Sequence, residues 1–213
     1  MHPSILILSS VLSPLPATPK AGSSEQSLVI WFTGLPGSGK SSVCNYVRDS
    51  LKEKGFAVLV LRMDEQRRKY FPDPKYTSEE RQKAYELFAD DAVRAARPGR
   101  PVLLDATAPQ VSMRRAVRDR VPRFAEVHIK CSLSTAMRRE KSRPEGLVMA
   151  DLYAKALERK KTGKEFPGLG RVIGVDVPFE MDPEAEMIIE NDHLSLSEAG
   201  EKAMKFIEDK LLD

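Results

Sequence analysis

With 213 residues, 41% of them hydrophobic, the chain can bury one core of ordinary size and carry a lid, but it cannot form two full domains. Thirty-four basic residues against 31 acidic ones leave a net charge of +3, too near balance for composition alone to mark a nucleic-acid binder. Two cysteines, Cys44 and Cys131, lie far apart without metal-ligand spacing, which excludes a disulfide framework and points to a reducing compartment.

Residues 1–27 differ from the rest. A short apolar stretch, Ile5 to Leu12, runs into Pro14, Pro16, Pro19 and Gly22-Ser23-Ser24, the composition of a flexible tail. The alternative is a secretory signal, against which stands the absence of Lys or Arg before the apolar stretch. No run reaches the roughly 18 apolar residues of a membrane span. Leu28 to Phe32 is a continuous apolar run with the length of a strand buried on both faces. Gly34-Leu35-Pro36-Gly37-Ser38-Gly39-Lys40-Ser41 follows, a complete G-x-x-x-x-G-K-[ST] phosphate loop. Its glycines permit a turn tight enough to aim backbone N–H groups at phosphate oxygens. The next helix adds a favourable field at its N-terminus. On this pattern Lys40 reaches the β- and γ-phosphates of ATP and Ser41 ligates Mg²⁺, with Ser42 completing the nucleotide-binding set. Val43, Tyr46, Val47 and Leu51 recur at helical spacing before Gly55, so strand, loop and helix stand in the order the motif requires.

Phe56 to Leu61 reads as a second buried strand. Its end delivers Arg62, Met63, Asp64, Glu65 and Arg67 to the sheet edge at which open α/β sheets bind ligands. Thr77-Ser78-Glu79-Glu80 fits a capping box for a helix running to about Arg97, which Pro98-Gly99 ends. Pro101 to Leu104 is a third strand finishing at Asp105, a helix contains Arg114 to Arg120, and Ala125 to Cys131 is a fourth strand. Between about residues 138 and 178 the pattern loosens. Arg138, Arg139, Lys141 and Arg143 precede a helical stretch near Leu152 to Lys160 and a glycine-rich loop, Gly163 to Gly174, with the charge and flexibility of a lid over phosphates. Met187 to Glu190 is a fifth strand, and a final helix covers roughly Ser195 to Leu211. The alternation predicts an α/β fold with a mostly parallel sheet in three layers, residues 28–213 forming a single domain.

Phosphoryl transfer needs positioning, charge neutralisation and a group to orient the acceptor hydroxyl. Asp64 is the best carboxylate to accept a hydrogen bond from that hydroxyl or to support Mg²⁺; the alternative is an ordinary solvated loop aspartate. Asp105 would hold Mg²⁺ through water or cap the next helix. Arg67 and Arg81 flank the acceptor site and suit a bidentate grip on an acidic substrate, unless they are simply solvated. Arg114, Arg115, Arg118, Arg120 and Arg123 lack interleaved aromatics that would stack bases, so a solvated helix face is expected rather than a nucleic-acid surface. His128 falls inside a strand, where burial is the default; His193 sits in a polar turn.

These motifs together resemble adenylylsulfate kinases. Ile30 to Ser42 matches that family's phosphate loop beyond the generic pattern, including the tryptophan and the Thr-Gly-Leu lead-in, and Leu87-Phe88-Ala89-Asp90 matches its helical Leu-Phe-Ala-Asp. Leu152-Tyr153-Ala154-Lys155-Ala156 and Gly174-Val175-Asp176-Val177-Pro178-Phe179-Glu180 are similar to its Leu-Tyr-Lys-Lys-Ala and Gly-Ile-Asp-x-Pro-Tyr-Glu. The family's Asp-Gly-Asp-Asn-x-Arg is replaced by Arg62-Met63-Asp64-Glu65-Gln66-Arg67, which keeps only the second aspartate and the substrate-facing arginine, and its Ser-Pro after the third strand is Ala108-Pro109. The segment between Arg139 and Leu152 is longer than the family's. The resemblance implies a cytoplasmic P-loop kinase using ATP and Mg²⁺, with adenosine 5′-phosphosulfate as acceptor and a homodimer as the assembly. It implies no nucleic-acid or membrane partner. Two alternatives remain: a kinase of another small-molecule or nucleotide-linked hydroxyl, and a nucleotide-binding regulator without turnover.

Overall fold

A computed structural model describes residues 27–97, 100–142 and 151–212. Residues 1–26 of the expected tail, the Pro98-Gly99 stop and residues 143–150 of the expected lid, Arg143 among them, lie outside the described residues.

Five strands, β1 (Leu28–Thr33), β2 (Leu59–Arg62), β3 (Val102–Asp105), β4 (Arg123–Lys130) and β5 (Met187–Glu190), form an all-parallel sheet in the order β2-β3-β1-β4-β5. β1 lies at its centre and every one of its residues is buried, so its apolar run needs no polar alternation. The two-residue period of the pleat divides its side chains: Val29 and Trp31 enter one core, Leu28, Ile30 and Phe32 the other. The first core is closed by α2 (Met63–Tyr70), α3 (Ser78–Ala95) and α4 (Val111–Arg118) through Met63, Tyr85, Phe88, Met113 and Val117. The second is closed by α1 (Lys40–Glu53) and α7 (Leu196–Leu212) through Val43, Val47, Leu51, Ala203 and Ile207. This is the expected three-layer arrangement. A third, smaller cluster joins α5 (Leu133–Lys141), α6 (Leu152–Thr162) and the loop carrying Leu169 and Val172.

Local signals and structure agree where the signals are strong. Ser195 Oγ accepts the Glu198 N–H at 3.2 Å while the Glu198 carboxylate accepts the Ser195 N–H at 2.8 Å, a reciprocal capping box. Thr77 Oγ1 accepts the Glu80 N–H at 3.1 Å, but the Glu80 carboxylate turns away to Arg67 and the Tyr76 N–H, so that box is half formed. β2 is shorter than expected because Phe56 to Val58 lie outside any strand. Two helices were not foreseen: α2 begins directly after β2, and α5 is capped by Ser132 Oγ.

The arginine run is a solvated face only in part. Arg114 is fully buried, with Nε 2.9 Å from Glu126 Oε2 and further donations to the carbonyls of Ala108, Gln110 and Glu180. Arg115 pairs with Glu184 at 2.7 Å, Arg118 with Glu186, and Arg120 with Asp90 at 2.8 Å. Burial raises the Glu126 pKa, the opposing pull of Arg114 notwithstanding. Replacing Arg114 with Ala should lower the unfolding free energy by about 3–5 kcal/mol in urea titrations, because Glu126 is left buried and uncompensated.

His128 is buried on β4 beside the Phe179 ring, 5.0 Å between centroids. Burial, reinforced by Arg114 and Lys130, holds its pKa down to about 4 from 6.5. The unfolded chain therefore binds the proton more readily. The contribution is complete above pH 6.5 and is lost as the pH falls towards about 4, on the order of 3 kcal/mol in all. A His128→Gln variant should show a shallower loss of stability over that interval in denaturant titrations at stepped pH.

Candidate active site

The phosphate loop lies at the carboxyl end of β1, between β3 and β4, where the strand order reverses and a crevice opens. Gly34, Gly37 and Gly39 have φ of 141°, 85° and 98°. At Gly34 and Gly37 space is as restrictive as conformation: a Cβ would overlap the carbonyl oxygens of Ile129 and Ala136. The loop is thus wedged between the end of β4 and α5. Gly39 is the left-handed N-cap of α1, and the first turn of α1 contains no acidic residue, which keeps the positive end of the helix available to an anion.

The Ser38 carbonyl accepts Asn191 Nδ2 at 2.7 Å and Arg139 Nη1 at 3.2 Å. Peptide planarity then points the Gly39 N–H the opposite way. The Ser38 hydroxyl is buried with no hydrogen-bonding partner among the described residues, a donor that a phosphate oxygen would satisfy. Lys40, at the start of α1, is near enough to act on the Cys131 thiol, which burial pushes up. From α6, Tyr153 Oη donates to the Pro36 carbonyl at 2.7 Å, tying that helix to the loop.

Ser41 Oγ donates to Asp105 Oδ1 at 3.1 Å. These convergent hard oxygen donors fit Mg²⁺, an ion usually held by few protein groups together with substrate phosphates. Asp105 does not cap a helix: α4 begins at Val111 with Gln110 at its N-cap. The second Asp105 oxygen, Oδ2, accepts Arg62 Nη1 at 2.7 Å.

Asp64 is exposed in the first turn of α2, where the helix field favours an acid. Arg67 and Arg81 are not solvated. Arg67 Nη1 meets Glu80 Oε1 at 3.2 Å and its guanidinium lies 5.3 Å from the Tyr76 ring centroid; Arg81 Nη2 donates to the Arg171 carbonyl at 2.6 Å. Burial lowers the Arg81 pKa. Burial pushes the pKa of the Tyr85 phenol up to about 12, and the charges of Arg67, Asp64 and Arg81 also act on it. Tyr85 Oη accepts the Ala108 N–H at 2.7 Å, holding Ala108 at a φ of 40°. Next to this group is an open cleft of about 570 Å³, lined among others by Lys75, Tyr76, Phe166 and Arg171.

The adenylylsulphate kinase family profile matches residues 26–190. The chain belongs to the adenylylsulphate kinase family. A probable adenylyl-sulfate kinase of Archaeoglobus fulgidus is 30% identical over 166 residues, covering 78% of this chain and 97% of the relative. The adenylyl-sulfate kinase of Bacillus pumilus is 28% identical over 188 residues, covering 87% of each. Among solved adenylylsulphate kinases, that of Mycobacterium tuberculosis, CysC, in complex with AMPPNP and APS, is 26% identical with a TM-score of 0.70, covering 87% of this chain and 99% of the other.

Asn191, Arg139 and Tyr85 carry no motif that reveals their contacts. The signal that could have singled out Asn191 is its position just past β5, at the edge where open α/β sheets bind ligands. Gly37→Ala tests the wedge: with a left-handed φ and the Ala136 carbonyl in the way, the loop must reshape, and ATP affinity should fall more than tenfold in a fluorescent-nucleotide titration while the fold is kept.

Proposed function

We propose that the chain transfers the γ-phosphoryl group of ATP to the 3′-hydroxyl of adenosine 5′-phosphosulfate, forming 3′-phosphoadenylylsulfate and ADP. The observation that carries this reading is the match of the adenylylsulphate kinase profile from the phosphate loop through β5, across both the nucleotide and the acceptor side of the crevice. The turned loop backbone and Lys40 bind the β- and γ-phosphates. Ser41 and Asp105 would hold Mg²⁺, which neutralises charge on the phosphates when bound.

Asp64 accepts the hydrogen bond of the attacking hydroxyl and so orients its oxygen towards the γ-phosphorus. Arg67 and Arg81 hold the acidic group of the acceptor; Glu80 and the Arg171 carbonyl fix their directions before it binds. Tyr76 and Phe166, with Lys75 and Arg171 beside them, give the adjoining cleft the aromatic and cationic character that suits a nucleotide conjugate. The segment from about 138 to 178 is the lid, linked to the loop through Tyr153 and Arg139, and it excludes water when closed. The same reading places the enzyme in the cytoplasm as a homodimer. No helix among the described residues is long and apolar enough to cross a membrane.

One observation favours a second reading. Arg62 and Glu65 stand where the family has Asp and Asn, a change of charge at the acceptor side that suits a different hydroxyl on a nucleotide-linked metabolite. ATP consumption measured across adenylylsulfate, other nucleotide conjugates and free polyols separates the two: turnover is expected with adenylylsulfate, and turnover only with another acceptor overturns the first reading. ATP binding without turnover on any acceptor would make the chain a regulator. In the same assay Lys40→Ala should abolish activity, whereas Asp64→Asn should retain ATP affinity and lose about a hundredfold or more in kcat, the range of a lost general-base or orienting contact.

A further inference from the structure

Arg62 ends β2 in direct register with Asp105 at the end of β3. Two of its guanidinium nitrogens donate hydrogen bonds, Nη1 to Asp105 Oδ2 at 2.7 Å and Nη2 to Asn45 Oδ1 at 2.5 Å, and Nε forms a looser ion pair with the exposed Glu65, 3.5 Å from its Oε1. The anchors come from β3, from α1 and from the first turn of α2, so the fork is held from three directions. The Asp105 side chain is 5% exposed, and its other oxygen faces the Ser41 hydroxyl. A nearly buried carboxylate in the expected Mg²⁺ site is therefore neutralised by a cation belonging to the protein. That cation stands where the family pattern has an aspartate.

We propose that Arg62 is a positioning residue that controls metal loading. As an internal counter-cation it stabilises Asp105 without metal, keeps Oδ1 directed at Ser41, and repels a free divalent ion. Metal then enters efficiently only in company with nucleotide, whose phosphates supply the negative charge that Arg62 has cancelled. The inference rests on the phosphotransfer reading for the place of the metal, but on neither acceptor.

The test is nucleotide-free Mn²⁺ binding by electron paramagnetic resonance, with no acceptor present. Removing a unit charge next to a partly solvated divalent site changes affinity by about tenfold or more. Arg62→Gln should bind Mn²⁺ at least tenfold more tightly than the parent protein, and adding Asp105→Asn should cancel that gain. With a non-hydrolysable ATP analogue present, parent and Arg62→Gln should differ by less than threefold. Asn45→Ala keeps both charges and loosens one anchor; it should shift nucleotide-free affinity in the same direction by a smaller factor, which decides the matter if Arg62→Gln does not fold. Unchanged nucleotide-free Mn²⁺ affinity in the folded variants overturns the role of Arg62 and leaves the acceptor assignment intact. Failure to phosphorylate adenylylsulfate overturns that assignment and leaves the Mn²⁺ result standing.

Discussion

The nucleotide end of the molecule depends on the close approach of the phosphate loop to two backbone carbonyls, those of Ile129 and Ala136. Because no side chain fits at Gly34 or Gly37, the loop can lie flat against the end of β4 and the body of α5. From there the Ser38 carbonyl comes within reach of Asn191 and Arg139. Two segments remote in sequence, α5 and the turn after β5, thereby determine the direction of one peptide plane. Anion binding by a loop of this kind requires N–H groups that already point inwards, since reorienting them on binding would consume part of the binding energy.

Charge is managed differently in the interior and at the sheet edge. Arg114 and Glu126 are desolvated together, and the remaining donors of the guanidinium are taken up by backbone carbonyls around Ala108 and Glu180. That arrangement ties the β3–α4 loop to the segment before β5, and the loop in turn meets Tyr85, on which Asp64, Arg67 and Arg81 act. The backbone beside Tyr85 is thus braced by a buried ion pair whose removal would be felt through the β3–α4 loop. At the edge, Arg62 keeps partial contact with solvent while its partner Asp105 is nearly buried, and the pair sits beside the Ser41 hydroxyl.

Elements whose signals are local and redundant were legible in the sequence. β1 announces itself by an uninterrupted apolar run, α3 and α7 by caps followed by periodic apolar positions, and β5 by Met187 to Glu190 between polar turns. α2 and α5 were not legible: each is short and rich in charge, with few apolar positions from which a period can be read. Such helices are stabilised by what they pack against. The same blindness applied to Arg114, whose fellow arginines on α4 are half-buried; only the position of Glu126 on β4 distinguishes it.

By itself the sequence determined the phosphate loop, its flanking strand and helix, the parallel α/β order and the identity of the ionisable groups at the strand ends. Those features follow from backbone geometry and hydrophobic periodicity within a few residues, so they are written locally. The tertiary structure decided which of those groups meet: Arg62 with Asp105, Arg67 with Glu80, and Asn191 with Ser38. Pairings across 43, 13 and 153 positions of chain arise from strand order and helix placement, which no local pattern encodes. Whether a carboxylate faces solvent, a metal or an arginine is set at that level.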